Sequence, residues 1–265
     1  MLQANSSLIL QRLRPPDLVL DIGGWAHPFN RANYIMDAQP FATRGAYNRT
    51  FARTRPILPI GGSTEFFNAE SWIQRDICDR QPYPFADKSI DFVICSHTLE
   101  DVRDPLWVCS EMVRIGRAGY IEVPSRVWET CRGLEPGIAG LAHHRWLIEI
   151  EGQKIRFILK YHLVHNWRYS FSPRVLRALS EEQSVQWLFW NDGFQYEETT
   201  FHGDDLPREL ERFVDSVHPH PAWRLRLHSG WQGAAGVLRR ANAKLARLTH
   251  RRPVASQAAA GSGKK

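Results

Sequence analysis

At 265 residues with 43% apolar content, the chain can bury one large core, and its 10 tryptophans and 13 phenylalanines make that core aromatic. No stretch approaches the roughly 20 consecutive apolar residues of a membrane span, and residues 1–13 lack the basic start, long apolar run and small-residue cleavage site of a secretory leader. The net charge of +6 misdescribes the body: ten of the 34 basic residues and no acidic ones lie beyond Asp215, leaving 24 basic against 28 acidic in 1–215, so basicity gives the body no reason to hold nucleic acid.

Residues 6–13 read as a short helix, with a serine start, apolar Leu8, Ile9, Leu10 and Leu13, and a Pro15-Pro16 stop. Residues 18–22 form an apolar run closed by glycines, as a strand buried on both faces should. A second short run, 33–36, ends at Asp37; 71–77 and 90–95 are the third and fourth strand candidates. Between them, 41–68 is irregular, rich in Arg, Gly and Pro, and long enough to be a functional loop with local helix. Asp104 and Pro105 open a helix in which Leu106, Cys109, Met112 and Val113 recur at helical spacing. Gly116 and Gly119 end it, and 120–123 is a fifth strand. Strand alternating with helix predicts an α/β fold with a doubly wound, mostly parallel sheet.

After Pro124 the pattern changes. Residues 146–150 and 155–160 flank Glu151-Gly152-Gln153-Lys154, which predicts a β-hairpin inserted as a cap over about 125–170. Residues 187–190 and 194–198 flank Asn191-Asp192-Gly193, the strongest turn signal in the chain, and predict closing strands over about 184–199 that form an antiparallel hairpin at one sheet edge. The domain then runs over 1–215, with its core half at 17–124. Residues 233–248 read as a basic, Ala-rich helix and 255–265 as a small, polar, disordered end. For 216–265 three readings stand: a solvated end, a weak anchor to an anionic membrane surface, or a nucleic-acid contact; Trp223, Leu225 and Leu227 beside Arg224 and Arg226 favour a peripheral surface role. Cys78, Cys95, Cys109 and Cys131 are scattered with no close pair, Cys95 and Cys109 lie within apolar runs as buried thiols do, and a reducing cytoplasm fits.

Asp21-Ile22-Gly23-Gly24 sits where the first strand must turn, and glycine there lets the backbone approach a ligand. Asp37, at the end of the second strand, is placed to accept both hydroxyls of a ribose. The later glycines of a dinucleotide fingerprint are missing from Trp25-Ala26-His27-Pro28, which favours an adenosine ligand without a pyrophosphate bridge; Trp25 packs on such a ligand or closes the core. The short spacing to the second strand leaves the first crossover a helical turn or two at most.

The longer signal runs from Arg75-Asp76-Ile77-Cys78-Asp79 through Pro84-Phe85-Ala86-Asp87-Lys88-Ser89-Ile90-Asp91-Phe92-Val93 and His97-Thr98-Leu99-Glu100-Asp101-Val102 to Asp104-Pro105, Glu111, Arg114 and Gly119. It resembles the class I, Rossmann-like S-adenosylmethionine-dependent methyltransferases over about 19–124. The resemblance implies a seven-stranded type of sheet. It further implies that Asp21, Gly23 and Gly24 line the methionine part of S-adenosylmethionine, Asp37 the ribose, and Asp76 with Ile77 the adenine. Ser96 and His97 would face the sulfonium and the acceptor.

Methyl transfer to oxygen calls for a general base, and His97 is the best-placed candidate, with Glu100 second and His144 or His143 as alternatives from the cap. Against this, Glu100 and Asp101 also read as solvated acids of a helix start, and Glu111–Arg114 as a surface or supporting ion pair. Arg126 and Arg145 are either surface arginines or contacts to an acidic substrate group. His143, His144, His162 and His165 with Cys131 match no standard zinc spacing, and no metal is expected. The function expected is methyl transfer to oxygen or nitrogen of a small molecule or glycan precursor. An inactive cofactor-binding relative, a nicotinamide-dependent oxidoreductase and an RNA methyltransferase are the alternatives.

Overall fold

In a computed structural model, which describes residues 1–44 and 58–217, the run Val19–Ile22 forms β1, buried throughout. With β2 (Tyr34–Asp37), β3 (Trp72–Gln74), β4 (Ile90–Ser96), β5 (Gly116–Pro124) and β8 (Val185–Asn191) it builds a six-stranded sheet of order β3-β2-β1-β4-β5-β8. All pairs are parallel except β5–β8. The chain steps outward from β1 to β3, then returns beside β1 as β4. Ligands of such sheets sit beyond the carboxyl ends of the strands at this reversal, here the ends of β1 and β4.

The first crossover holds no helix at all. The sheet face it should cover is filled instead by Ile9 of α1 (Gln3–Arg12) with Phe29, Ala32, Ile60 and Phe67, packed on Val19, Ile35 and Tyr120. Buried Arg31 stands in for helical hydrogen bonding: its guanidinium donates to the carbonyls of Pro15 (3.0 Å) and Asp17 (3.1 Å) and to Asn33 Oδ1 (3.0 Å), locking the crossover to the end of α1.

The opposite face is covered by α2 (Pro105–Ile115). Asp104 caps it by accepting the Trp107 amide at 3.1 Å, and Val108, Cys109, Met112 and Ile115 form its buried stripe. Glu111 and Arg114 are a pair, as their spacing suggests, but an inward-acting one. Glu111 accepts the Tyr83 amide (2.5 Å), and Arg114 donates to the carbonyls of Tyr83 and Phe85, fastening the 82–87 loop to the helix.

The two-residue hairpin in the cap is present as β6 (Trp146–Glu151) and β7 (Lys154–Leu159). The second expected hairpin is not. β8 closes the main sheet as its antiparallel edge, but β9 (Gln195–Thr199) pairs parallel to β7 in a separate sheet, β6-β7-β9. Asp192 (φ 60°) and Gly193 (φ 149°) turn the chain out of the main sheet, pinned by Lys88 Nζ on the Asp192 carbonyl (2.9 Å). Beyond that corner Phe194 is buried beside Trp190, and Tyr196, partly buried, packs against the same apolar cluster. The small sheet's far face is covered by Leu206 and Leu210 of α5 (Asp205–Val217), while α3 (Arg126–Glu129) and α4 (Pro173–Ala178) lie in the connections. Arg126 is buried in a carboxylate network, donating to Glu149 and to Glu209 (3.1 Å), so it is neither a surface group nor open to substrate.

Residues 1–217 form one compact unit. No helix among the described residues is long and apolar enough to cross a membrane. The expected basic helix and tail at 218–265, and residues 45–57 of the long loop, lie outside the described residues.

Candidate active site

Gly23, the first residue past β1, takes φ +78°, and its amide donates to the Met36 carbonyl at 2.8 Å. A Cβ there would meet the Thr98 side chain at 2.1 Å, so the turn is sealed against the loop after β4. Gly24 is equally confined: a Cβ would fall 2.5 Å from Asp21 Oδ2. That oxygen accepts the Phe29 amide (2.9 Å) inside the protein. Burial pushes Asp21 up to about 7, the Phe29 amide opposing and Asp37 adding repulsion. Asp21 therefore shapes the loop from within.

Asp37 accepts the Trp25 amide on one oxygen (3.1 Å) and the Gln39 amide on the other (2.8 Å), and burial raises its pKa against the pull of those amides. With the Ala38 amide as a third backbone donor, the half-buried carboxylate still keeps acceptor capacity for a ribose hydroxyl. The Trp25 indole donates to the Thr43 carbonyl (3.0 Å), drawing the loop toward the 41–43 turn. Asp76 lies in the turn just after β3, where Oδ1 accepts the Cys78 amide (2.8 Å) and Oδ2 pairs with Arg103 (2.5 Å). Desolvation opposes its ionisation, but these partners win and hold it below the usual carboxylate range. Ile77 is buried beneath, its carbonyl accepting the Tyr83 hydroxyl (2.9 Å). A cleft of ≈570 Å³ opens alongside, lined by Cys78 and Arg103 on one side and Trp146 and Glu198 on the other. At the reversal itself, Ser96 Oγ is buried without a hydrogen-bond partner, a polar atom left for a ligand to satisfy. The Gly turn, Asp37 and Ser96 thus suit S-adenosylmethionine; Asp76 can reach an adenine amino group only while sharing its carboxylate with Arg103.

The loop after β4 carries the second half of the site. His97 has φ +52°, a left-handed conformation that costs a non-glycine residue roughly 1–2 kcal/mol. It is held by its amide on the Glu122 carbonyl (2.8 Å) and its ring Nε2 at 3.0 Å from Glu122 Oε1, with Nδ1 3.4 Å from Glu100 Oε1. Burial pulls the imidazole's pKa down, but the carboxylates of Glu100 and Glu122 overrule it and raise it to about 9. His97 is therefore an imidazolium at neutral pH and cannot take up a proton in that state. Glu122 is buried in β5 and also accepts the Tyr120 hydroxyl and the Leu2 amide (3.0 Å). Desolvation works against its charge, yet His97 and its other partners hold its pKa at about 2.

Glu100 is not a solvated helix-start acid. The helix begins only at Pro105, and Glu100 is buried with neither side-chain oxygen hydrogen-bonded. Its carbonyl accepts the amides of Arg145 (2.7 Å) and Trp146 (3.2 Å), tying the cap to this loop. The same tie brings in His144, whose Nε2 lies 3.7 Å from Asp101 Oδ1 and whose Nδ1 lies 2.7 Å from Glu129 Oε2. Buried Glu129 also holds the Lys160 ammonium. Of the sequence-derived candidates, His97, Glu100 and His144 do converge. Glu122, Glu129, Asp101 and Lys160 were missed; only Glu122, a lone acid inside an apolar strand, leaves a signal in the sequence.

Residues 62–121 match the family model for a methyltransferase domain, and no curated protein matches the chain. Among solved structures, S-adenosylmethionine-dependent methyltransferases are similar in part. That from Methanosarcina mazei is 22% identical over 46% of this chain and 58% of its own, with a TM-score of 0.30. That from Mesorhizobium loti is 14% identical over 59% and 64%, with a TM-score of 0.31. The aligned part thus spans less than two thirds of either protein. The chain thus combines a mostly parallel α/β sheet with a strand reversal and acidic strand ends, and residues 62–121 within it match a methyltransferase domain.

Proposed function

We propose that the chain transfers a methyl group from S-adenosylmethionine to an oxygen or nitrogen of a small molecule, a glycan precursor included, held between the loop after β4 and the cap. The observation that carries this reading is Glu100: a buried carboxylate with neither oxygen hydrogen-bonded, one of them 3.4 Å from His97 Nδ1, and its carbonyl tied to the cap. Bound S-adenosylmethionine supplies a methyl group activated on a sulfonium. The chain's own task is to align the acceptor, exclude water and take the acceptor's proton. Since His97 already holds its proton, the base role passes to Glu100, whose carboxylate can accept from an O–H or N–H of the acceptor. The cap strand β6, anchored on the Glu100 carbonyl, closes the crevice from above.

The test is turnover of the full chain with isotope-labelled S-adenosylmethionine against a panel of hydroxylated and amino acceptors, read by mass spectrometry. Label in a small acceptor is expected. Glu100→Gln should then lower kcat by about 10²–10⁴ while the affinity for S-adenosylmethionine stays within about twofold. Label appearing only in protein or nucleic acid would overturn the reading.

A further inference from the structure

Beside the methyl-transfer crevice, Asp101, His143 and His144 each point one ligand atom into a common space, all within 4.8 Å of one another. We propose that these three side chains form a divalent-cation site of the two-histidine, one-carboxylate kind, suited to a zinc-like ion. The Asp101–His144 pair is the frame of the site. Its 3.7 Å separation of oxygen and nitrogen is what two ligands of one ion allow at bonds of about 2.0–2.2 Å. Metal-binding histidines commonly give their other ring nitrogen to a carboxylate, which fixes tautomer and orientation. Here Glu129 holds His144 Nδ1 at 2.7 Å and is itself buried and fixed by Lys160, leaving Nε2 free toward Asp101. Asp101 Oδ1 is buried without a hydrogen-bond partner, an atom whose desolvation the observed contacts leave uncompensated. His143 is exposed, its ring 4.6 Å from that of His144, and one of its ring nitrogens lies within 4.8 Å of the ligand atoms of Asp101 and His144.

The electrostatics agree. Glu129, Glu100 and Asp101 all act on His144 as negative charges, so a dication gains where a monopositive imidazolium gains less. Two imidazoles and one carboxylate leave coordination positions open for water or for an oxygen donor of a bound ligand. Spacing along the chain hides the site, because Asp101 belongs to the loop after β4 and the histidines to the cap. Cys131, the partner their sequence proximity suggests, is buried instead against Phe171 and Val214.

Cobalt(II) is the probe, since it reports its ligands in the visible spectrum. Titrated into the full chain, it should give one equivalent of tight binding with a visible band, displaced by zinc. His143→Ala and Asp101→Asn, both changed at partly or fully exposed side chains, should each weaken cobalt binding at least tenfold. Their Tm without metal and their affinity for S-adenosylmethionine should stay near those of the parent chain. Cobalt bound as tightly by both variants as by the parent, or no band in the parent, would overturn the site and leave Asp101–His144 a simple ion pair. Neither result depends on which acceptor is methylated, so failure here is distinct from failure of the acceptor reading.

Discussion

The two sides of the crevice treat their carboxylates in opposite ways. On the cofactor side, Asp21, Asp37 and Asp76 all accept backbone amides from their own neighbourhoods, at 2.8–3.1 Å. On the acceptor side, Glu100 and Asp101 keep buried oxygens that no hydrogen bond reaches, while Glu122 and Glu129 are claimed by distant cations. On the first side the carboxylates are already hydrogen-bonded, and a bound ligand would add to bonds already made. The second is held in tension by charge pairs between remote segments and is completed by what binds.

The largest effect that would break this contrast is at Glu129. Its side chain and that of Lys160 are both buried, and His144 leans on the same carboxylate. Removing one member of such a group leaves buried charge uncompensated, which costs about 3–5 kcal/mol. Glu129→Ala should therefore lower unfolding stability in urea by about that amount, more than any substitution among the cofactor-side acids. A loss below about 1 kcal/mol would mean that the acceptor side does not depend on its ion pairs.

On the cofactor side the expected effect is on binding. Asp37→Ala removes the acceptor proposed for the ribose hydroxyls, and hydrogen bonds to a charged group contribute about 1.5–3 kcal/mol. Calorimetry should show S-adenosylmethionine affinity falling by about ten- to a hundredfold. Affinity unchanged by the substitution would move the ribose away from β2. Gly23→Ala tests the same cradle through its backbone: the φ of +78° and the 2.1 Å approach to Thr98 leave no room for a methyl group. A loss of roughly 1–3 kcal/mol in stability is expected, with weaker cofactor binding, because the loop after β4 must shift to admit it.

How far the sequence could be read follows the same division. β1, β2, β4, α2 and the cap hairpin were legible because each is written in a local pattern: a buried run, a capping pair at Asp104-Pro105, a two-residue turn. So were the strand-end positions of Asp21, Gly23 and Asp37, which sit at fixed offsets along consecutive elements. Asn191-Asp192-Gly193 misled because the turn is real while its meaning is tertiary. The chain does bend there, but it leads Phe194 and Tyr196 into the apolar cluster shared with the small sheet and Gln195–Thr199 onto β7. The acceptor side was least legible. Glu129, His144 and Lys160 meet only after three segments fold together, and nothing in their spacing announces it.

The smallest effect, and the one that sharpens the contrast most, is the pH response of His97. Its pKa in the folded chain, about 9, lies above the ordinary value of 6.5, because Glu100 and Glu122 outweigh the desolvation that pulls it down. A raised histidine pKa means that the folded state binds the proton more tightly than the unfolded chain does. The stability this contributes is fully present below pH 6.5 and fades as pH rises through about 9. The side chain is 40% exposed, so solvent screening keeps the effect modest. Urea unfolding followed from pH 6 to 10 should show the parent chain losing stability across that window, and His97→Gln losing less. The cofactor side's own acid responds in the same direction in a lower window: burial lifts Asp21 to about 7, so its ionisation burdens the fold increasingly from about pH 4 to 7, and Asp21→Asn should flatten the profile there. Two substitutions on opposite sides of one crevice, flattening two different pH windows, would separate a cradle strained by its own buried charge from a site stabilised by pairing. Identical profiles for parent and His97→Gln would mean that the imidazole is neutral in the folded chain. The base role would then return from Glu100 to His97.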